Sequence, residues 1–204
     1  DVRSGGNTLT GNILHDNEDT GIQIYSSGGA PSPNNLVVNN LCYNNGDHGI
    51  DVSSAGSQRI IGNTIYFNAT TGINLEGTVL LPSSGSTLRN NIVVDNALSN
   101  VGQRGNIRVD LNSTPGTTID YDLFYLSAPG VMIAWNAVNY STLASFFAAT
   151  GQEAHGLQAA PQWMAPGAGD FHLLLGSPAI DSADSGASGA SATDLEGLPG
   201  IGAK

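Results

Sequence analysis

The chain has 204 residues, a formal net charge of −11 and only 11% charged residues, with 27 glycines and a single cysteine, Cys42. So acidic a chain, with one lysine at Lys204, is a poor partner for nucleic acid. One thiol forms no internal disulfide, and no apolar run is long enough to insert into a membrane as a spanning helix.

Residues 1–6 read as the end of a strand, because Asp1-Val2-Arg3-Ser4 aligns with Gln23-Ile24-Tyr25-Ser26. A stretch then recurs along the chain. It runs Gly11-Asn12-Ile13-Leu14 to Asn17 and on to Gly21-Ile22-Gln23-Ile24. It returns as Asn39-Asn40-Leu41-Cys42 to Asn45 with Gly49-Ile50-Asp51-Val52. A third copy runs from Gly62-Asn63 through Asn68 to Gly72-Ile73-Asn74-Leu75. A looser fourth copy has Asn90-Asn91, Asn96 and Asn106-Ile107-Arg108-Val109. In every copy one Asn follows another at five residues: 12/17, 40/45, 63/68 and 91/96. A near-regular period of this size marks a repeat architecture.

Within each copy apolar residues alternate with polar ones, which is strand periodicity. Ile22 and Ile24, Ile50 and Val52, Ile73 and Leu75, Ile107 and Val109 take one face. Leu14, Cys42, Ile65 and Val93 supply one further inward residue each, and so do Leu9, Val37, Ile60 and Leu88. Each repeat is therefore expected to hold three short strands between Gly and Asn corners. No repeat can bury its apolar side alone, so the repeats must stack at a strand spacing of roughly 4.8 Å. The Asn side chains then fall above one another as a hydrogen-bonded ladder. Gly21, Gly49 and Gly72 are expected at sharp or left-handed corners. Cys42 reads as a small core filler.

Variable loops are expected at 26–34, 79–86 and 98–105. A degenerate fifth coil spans Ile119 to Phe124 and Gly130-Val131-Met132-Ile133, with Asp122 where Asn stood, and Trp135 ends the regular part. Beyond it, 140–151 reads as a short helix capped by Ser141 or Thr142 and stopped by Gly151, with Leu143, Phe146 and Phe147 buried. Two regions result: coils over 1–135, whose first coil looks truncated, and a cap with an irregular tail over 136–204.

The repeat resembles that of the right-handed parallel β-helix of the pectin-lyase-like superfamily. The resemblance implies an all-β fold of about five coils with a C-terminal cap carrying one helix. The succession Ala160-Pro161-Gln162-Trp163, Gly169-Asp170-Phe171-His172-Leu173, Ser177-Pro178-Ala179-Ile180-Asp181 and Asp194-Leu195-Glu196-Gly197 is similar to the closing segment of many secreted bacterial β-helix proteins. It is expected to lay Trp163, Phe171, Leu173 and Ile180 over the open end of the last coil. At the other end no cap is visible. That end is expected to be covered by an upstream β-helix segment or by a second copy.

The resemblance implies a secreted or cell-surface module that acts on or binds polysaccharide, including uronate-containing ones, since the superfamily's enzymes place a groove along one sheet. Outward positions give one row of Asp1, Gln23, Asp51, Asn74, Arg108 and Met132. A second row holds Arg3, Tyr25, Ser53, Glu76 and Asp110. Asp51, Glu76, His48 and Arg108 are the catalytic candidates, as a carboxylate pair with a base beside it. Arg3, Gln23, Tyr25 and Asn74 are the substrate-binding candidates. Asp19 and Asp47 are the metal candidates, with Ca²⁺ as the ion that their oxygens would suit. His15, Tyr43 and Tyr66 form an outward ladder that could serve as a sugar platform. The hydrolase and lyase motifs of the superfamily are absent, and Asp47-His48-Gly49 is only a partial echo. The plainer reading makes these the polar residues that any exposed strand face and Asx corner needs. On that reading the chain is a non-catalytic surface or adhesion module.

Overall fold

A computed structural model describes residues 1–26, 29–99, 102 and 104–199. Lys204 and parts of the expected loops at 26–34 and 98–105 lie outside them. Five coils follow one another. The first is β1 (Thr8–Thr10), β2 (Ile13–His15) and β3 (Ile22–Tyr25). The second is β4 (Leu36–Val38), β5 (Leu41–Tyr43) and β6 (Ile50–Ser53), and the third is β7 (Arg59–Ile61), β8 (Thr64–Tyr66) and β9 (Ile73–Glu76). The fourth is β10 (Thr87–Arg89), β11 (Ile92–Val94) and β12 (Ile107–Val109), and the fifth is β13 (Thr118–Asp120), β14 (Leu123–Tyr125) and β15 (Ile133–Trp135). Each strand pairs in parallel with its counterpart one coil away. The three faces are β1-β4-β7-β10-β13, then β2-β5-β8-β11-β14, then β3-β6-β9-β12-β15. This is a parallel β-helix.

The shared interior is a set of columns. Ile22, Ile50, Ile73, Ile107 and Ile133 are register partners in sequence, and all are buried. Val37, Ile60, Leu88 and Ile119 form a second column, and Cys42, Ile65, Val93 and Phe124 a third. Burying one such side chain stabilises by about 1.5–3 kcal/mol, and none of these is buried within its own coil. The fifth coil lies two residues out of the expected register. Ile133, not Val131, stacks on Ile107, so Ala134 continues the outward row and Met132 is buried in the core.

Three polar ladders hold the corners. Asn12, Asn40, Asn63, Asn91 and Asp122 make one. Asn40 Oδ1 accepts from both the backbone N (3.1 Å) and Nδ2 (2.8 Å) of Asn12, and its own Nδ2 returns a bond to Leu9 O (3.0 Å). Asn17, Asn45, Asn68, Asn96 and Asn106 repeat this at the next corner. Asn7, Asn35, Gln58, Ser86 and Thr117 form a third, with different side chains doing the same work. These bonds satisfy corner backbone groups that would otherwise be buried without partners.

Gly21, Gly49 and Gly72 sit at bends, as expected, but the left-handed corners lie elsewhere. They fall at Gly11, Asn39, Gly62 and Asn90 on one edge, and at Asp16, Asn44, Phe67 and Asp95 on the next. Asn and Asp tolerate that conformation through local hydrogen bonds. Gly49 is required for a different reason: a Cβ there would sit 2.5 Å from Ile65 Cγ2 and 2.7 Å from Gly72 O.

Beyond Trp135 the chain closes the last coil. β16 (Val138–Tyr140) pairs antiparallel with β15, helix α1 (Leu143–Thr150) follows, and β17 (Leu157–Gln158) pairs in parallel with β14. Thr142 caps α1 and Gly151 ends it in the left-handed conformation. Leu143 and Phe146 are buried against the core, whereas Phe147 is exposed. The expected closing segment does not lie over this end. β18 (Trp163–Ala165) and β19 (Asp170–Leu173) form a hairpin-like pair on the outside of the second sheet. There Phe171 meets Tyr43 and Tyr66 at 5.0 and 5.6 Å, and Trp163 meets Tyr66 at 5.4 Å. The tail then crosses the first sheet. Ala187 packs on Val38 and Ile61, and Arg89 holds Asp184 at 2.8 Å.

Candidate functional site

The third sheet turns Gln23, Asp51, Asn74 and Arg108 outward in one register line. Parallel stacking makes these neighbours bond to one another. Asn74 Nδ2 donates to Asp51 Oδ1 at 2.7 Å, and Gln23 Nε2 reaches Asp51 Oδ2 at 3.4 Å. Arg108 Nη1 donates to Asn74 Oδ1 and to Glu76 Oε2, each at 2.8 Å. The result is one continuous chain from Gln23 to Glu76. Asp51 is 5% exposed and Asn74 fully buried, although both point outward. Burial raises the Asp51 pKa, and the Glu76 charge raises it further, while the Asn74 bond and nearby His48 act the other way.

His48 lies at the corner before β6. Its Nδ1 accepts from Thr71 N at 3.2 Å and sits 2.8 Å from Thr70 Oγ1. Thr70 also donates to Asp47 Oδ1 at 2.5 Å. Asp19 and Asp47 stack through backbone, Asp47 N donating to Asp19 O at 3.3 Å. Among the described residues no three His, Cys, Asp or Glu side chains converge to hold a metal ion. Arg3 lies 4.6 Å over the Tyr25 ring and 3.4 Å from Asp1, at the N-terminal end of the neighbouring row. Asp110 in that row accepts from Gly77 N and Ser113 N.

The structure thus joins Asp51, Asn74, Arg108, Glu76 and Gln23 directly, sets His48 beside them, and leaves Arg3, Tyr25, Asp19 and Asp47 outside the chain of bonds. Two shallow concavities among the described residues lie at the ends of the helix. One touches the row only at Asp1 and Gln23. The aromatic ladder is no open platform: His15 stacks on Tyr43 at 4.7 Å, but Phe171 and Trp163 cover Tyr43 and Tyr66.

One chemically unusual pair escaped sequence reasoning. Asp122 and Glu153 are buried together at the end of the first Asn ladder. Asp122 Oδ1 accepts from Asn91 N (2.6 Å) and Nδ2 (2.9 Å), and Asp122 N donates to Glu153 Oε2 at 3.3 Å. Neither Asp122 Oδ2 nor Glu153 Oε1 has a hydrogen-bond partner. In the ladder an Asn would place an N–H donor where Asp122 Oδ2 stands, so here a proton must take its place. Burial pushes both carboxyl groups well above the ordinary carboxylate range; the Asp122 charge raises Glu153 further, while the hydrogen bond with Glu153 acts downward on Asp122. The signal in the sequence was Asp122 in an Asn position; its partner, in a region without repeats, had none.

No helix among the described residues is long and apolar enough to cross a membrane. Comparison with known families finds that residues 1–143 match the right handed beta helix region. Neither a curated protein nor a solved structure matches the chain. With the stacked parallel strands, a match over that much of its length shows that the chain belongs to the right-handed β-helix family.

Proposed function

We propose that this β-helix module works outside the cell and binds polysaccharide over the Gln23–Asp51–Asn74–Arg108–Glu76 row, without cleaving it, the half-buried Gln23, Arg108 and Glu76 making the contacts and the buried Asp51 and Asn74 fixing them in place. The observation that supports the reading is the bonding of that row. A glycosidase needs two carboxylates facing a scissile bond with room for sugar or water between them. Here Asn74 and Arg108 occupy the space between Asp51 and Glu76, and each acid already has a partner. A fixed line of amide, guanidinium and carboxylate groups, repeated at strand spacing, suits the periodic hydroxyls of a linear glycan. Neutral glycans fit better than uronate-rich ones. The chain carries −11 overall, and Arg3, Arg59, Arg89 and Arg108 are each engaged within the protein.

A second reading, catalysis by Asp51, is favoured by one fact: its raised pKa beside His48, which suits a general acid. One experiment separates the two. Neutral and uronate-rich polysaccharides are titrated against the parent, Gln23→Ala, Arg108→Ala and Asp51→Asn, with binding and released chain ends both measured. The binding reading expects a neutral glycan to bind, Gln23→Ala and Arg108→Ala to weaken it about tenfold, and no product. Product that disappears in Asp51→Asn supports catalysis instead. Absence of any binding removes both.

A further inference from the structure

Two turns on adjacent coils, one after β9 and one after β12, carry aliphatic side chains out of the same corner of the helix. The first closes on itself. Thr78 N donates to Leu81 O at 3.1 Å, and Leu81 N donates to Thr78 Oγ1 at 3.0 Å. Its base is fixed by the Ser83 hydroxyl, which lies 2.6 Å from Glu76 O and 3.1 Å from Val52 O. In the second turn Ser113 N donates to Asp110 O at 3.1 Å and to Asp110 Oδ1 at 2.8 Å. The two are tied together, because Gly77 N donates to Asp110 Oδ2 and Asn112 Nδ2 donates to Gly77 O, each at 2.9 Å. Their tips are Val79, Leu80 and Leu111, which are 83%, 89% and 64% exposed. The corner one coil earlier does the opposite and buries its apolar residue, Ala55. Apolar tips gathered on turns held this firmly mark an interaction surface.

We infer that this double turn docks the protein on a lipid surface of zwitterionic headgroups, with Val79, Leu80 and Leu111 entering the apolar layer beneath them. Two properties select that occupant. The first is charge. Residues 77–86 and 111–119 contain no charged side chain, in a chain of net charge −11. Asp110 beside them has both carboxylate oxygens bonded within the turns, and Glu76 is paired with Arg108 at 2.8 Å. An anionic surface would find no free cation here and would be repelled by the rest of the molecule. A zwitterionic surface meets no such barrier. The second is area. Three aliphatic tips offer only a few hundred Å², whereas a stable protein–protein contact takes about 800 Å² from each partner. The tips alone therefore do not hold a second copy. Lipid needs no complementary groove, since it closes around a convex tip, and a small buried apolar area gives reversible attachment. Docking here is independent of what the polar row binds.

Vesicle flotation provides the test. The full chain, Leu80→Ser, the triple variant Val79→Ser/Leu80→Ser/Leu111→Ser and Leu175→Ser are each mixed with phosphatidylcholine vesicles, and with vesicles that also contain phosphatidylglycerol. Leu175, just after β19, is 99% exposed and controls for apolar exposure alone. The parent should float with phosphatidylcholine. Leu80→Ser should bind about tenfold more weakly, the triple variant should stay in solution, and Leu175→Ser should match the parent. Phosphatidylglycerol should weaken binding at low salt, and added salt should restore it. Because the tips are exposed, the Tm of each variant should stay within about 2 °C of the parent. A Leu80→Trp protein keeps an apolar tip, and its fluorescence should shift to the blue when vesicles are added. A parent that does not float, or a triple variant that floats as well as the parent, overturns the docking. So does a loss in Leu175→Ser equal to that in Leu80→Ser. A dimer of the parent that the triple variant cannot form, without flotation, overturns it too, since the second copy would then be the occupant.

Discussion

At Asp122 one atom decides the chemistry. The ladder asks for a hydrogen-bond donor between residue 122 and Glu153, and two carboxyl groups provide one, an O–H, only when the pair keeps a proton. Both groups hold protons more tightly folded than unfolded, because burial raises their pKa. The folded state then binds more protons than the unfolded chain from the ordinary carboxylate range of about 4 up to the raised values of about 7 for Asp122 and about 11 for Glu153. The pair's contribution to stability is therefore present in full below that range and is lost as pH rises through neutrality. Asp122→Asn restores the donor and leaves Glu153 free to accept. We expect the parent's unfolding free energy to fall relative to that of Asp122→Asn between pH 5 and pH 9, with the variant ahead by about 1–3 kcal/mol at the upper end. Denaturant titrations of both proteins across the range measure it, and parallel pH profiles would show that no shared proton is held. The opposite slope belongs to Asp16 and Asp170, whose pKa values are lowered by bonds to neighbouring histidines, and it cancels in the comparison.

At the scale of the coil, glycines that look alike in sequence do different work. Gly49→Ala pushes a methyl group into Ile65 and the backbone of the next coil. It should cost about 1–3 kcal/mol, as overpacking does. Gly62→Ala meets open space and pays only for its left-handed backbone, about 1–2 kcal/mol. The discriminating result, read in a double-mutant cycle, is partial relief of the Gly49→Ala cost by Ile65→Ala, which removes the clashing Cγ2, with none at Gly62→Ala. Asn68→Ala should be worse than either. It strips the acceptor from Asn45 N and Nδ2 and the donor from Cys42 O, about 3 kcal/mol or more for groups left buried and unpaired, read as a lowered denaturant midpoint. The strands and two Asn ladders were legible because the same residue recurs at the same place in each coil. The third ladder was not, because Asn35, Gln58, Ser86 and Thr117 share a function but no side-chain type. The slip of two residues in the fifth coil has a related cause. Val131 and Ile133 both fit an inward strand position, and only the pairing with Ile107 chooses between them.

Over the whole molecule the C-terminal region acts as a strap along the outside as well as a plug. Its aromatic residues were correctly expected to bury apolar surface, but that surface is the outer Tyr43–Tyr66 face, not the end of the last coil. Sequence could not separate the two destinations, because side chains of both kinds are apolar and nothing local records which surface lies opposite. The polar row, by contrast, was readable before its bonding was. Alternation placed Gln23, Asp51, Asn74 and Arg108 on one line, and stacking then made them partners.

Everything above rests on coils stacked in one register, and cysteine pairs report register directly. Thr87 and Thr118 are aligned partners on adjacent coils, whereas Asp120 faces the same way two residues further along. Neighbouring parallel strands lie within disulfide reach only when aligned. Under mild oxidation the Thr87→Cys/Thr118→Cys protein should cross-link rapidly and keep its folded stability, and the Thr87→Cys/Asp120→Cys protein should stay reduced. Cross-linking of the offset pair in preference to the aligned one would contradict the stacked register, and with it the columns, the ladders and the polar row.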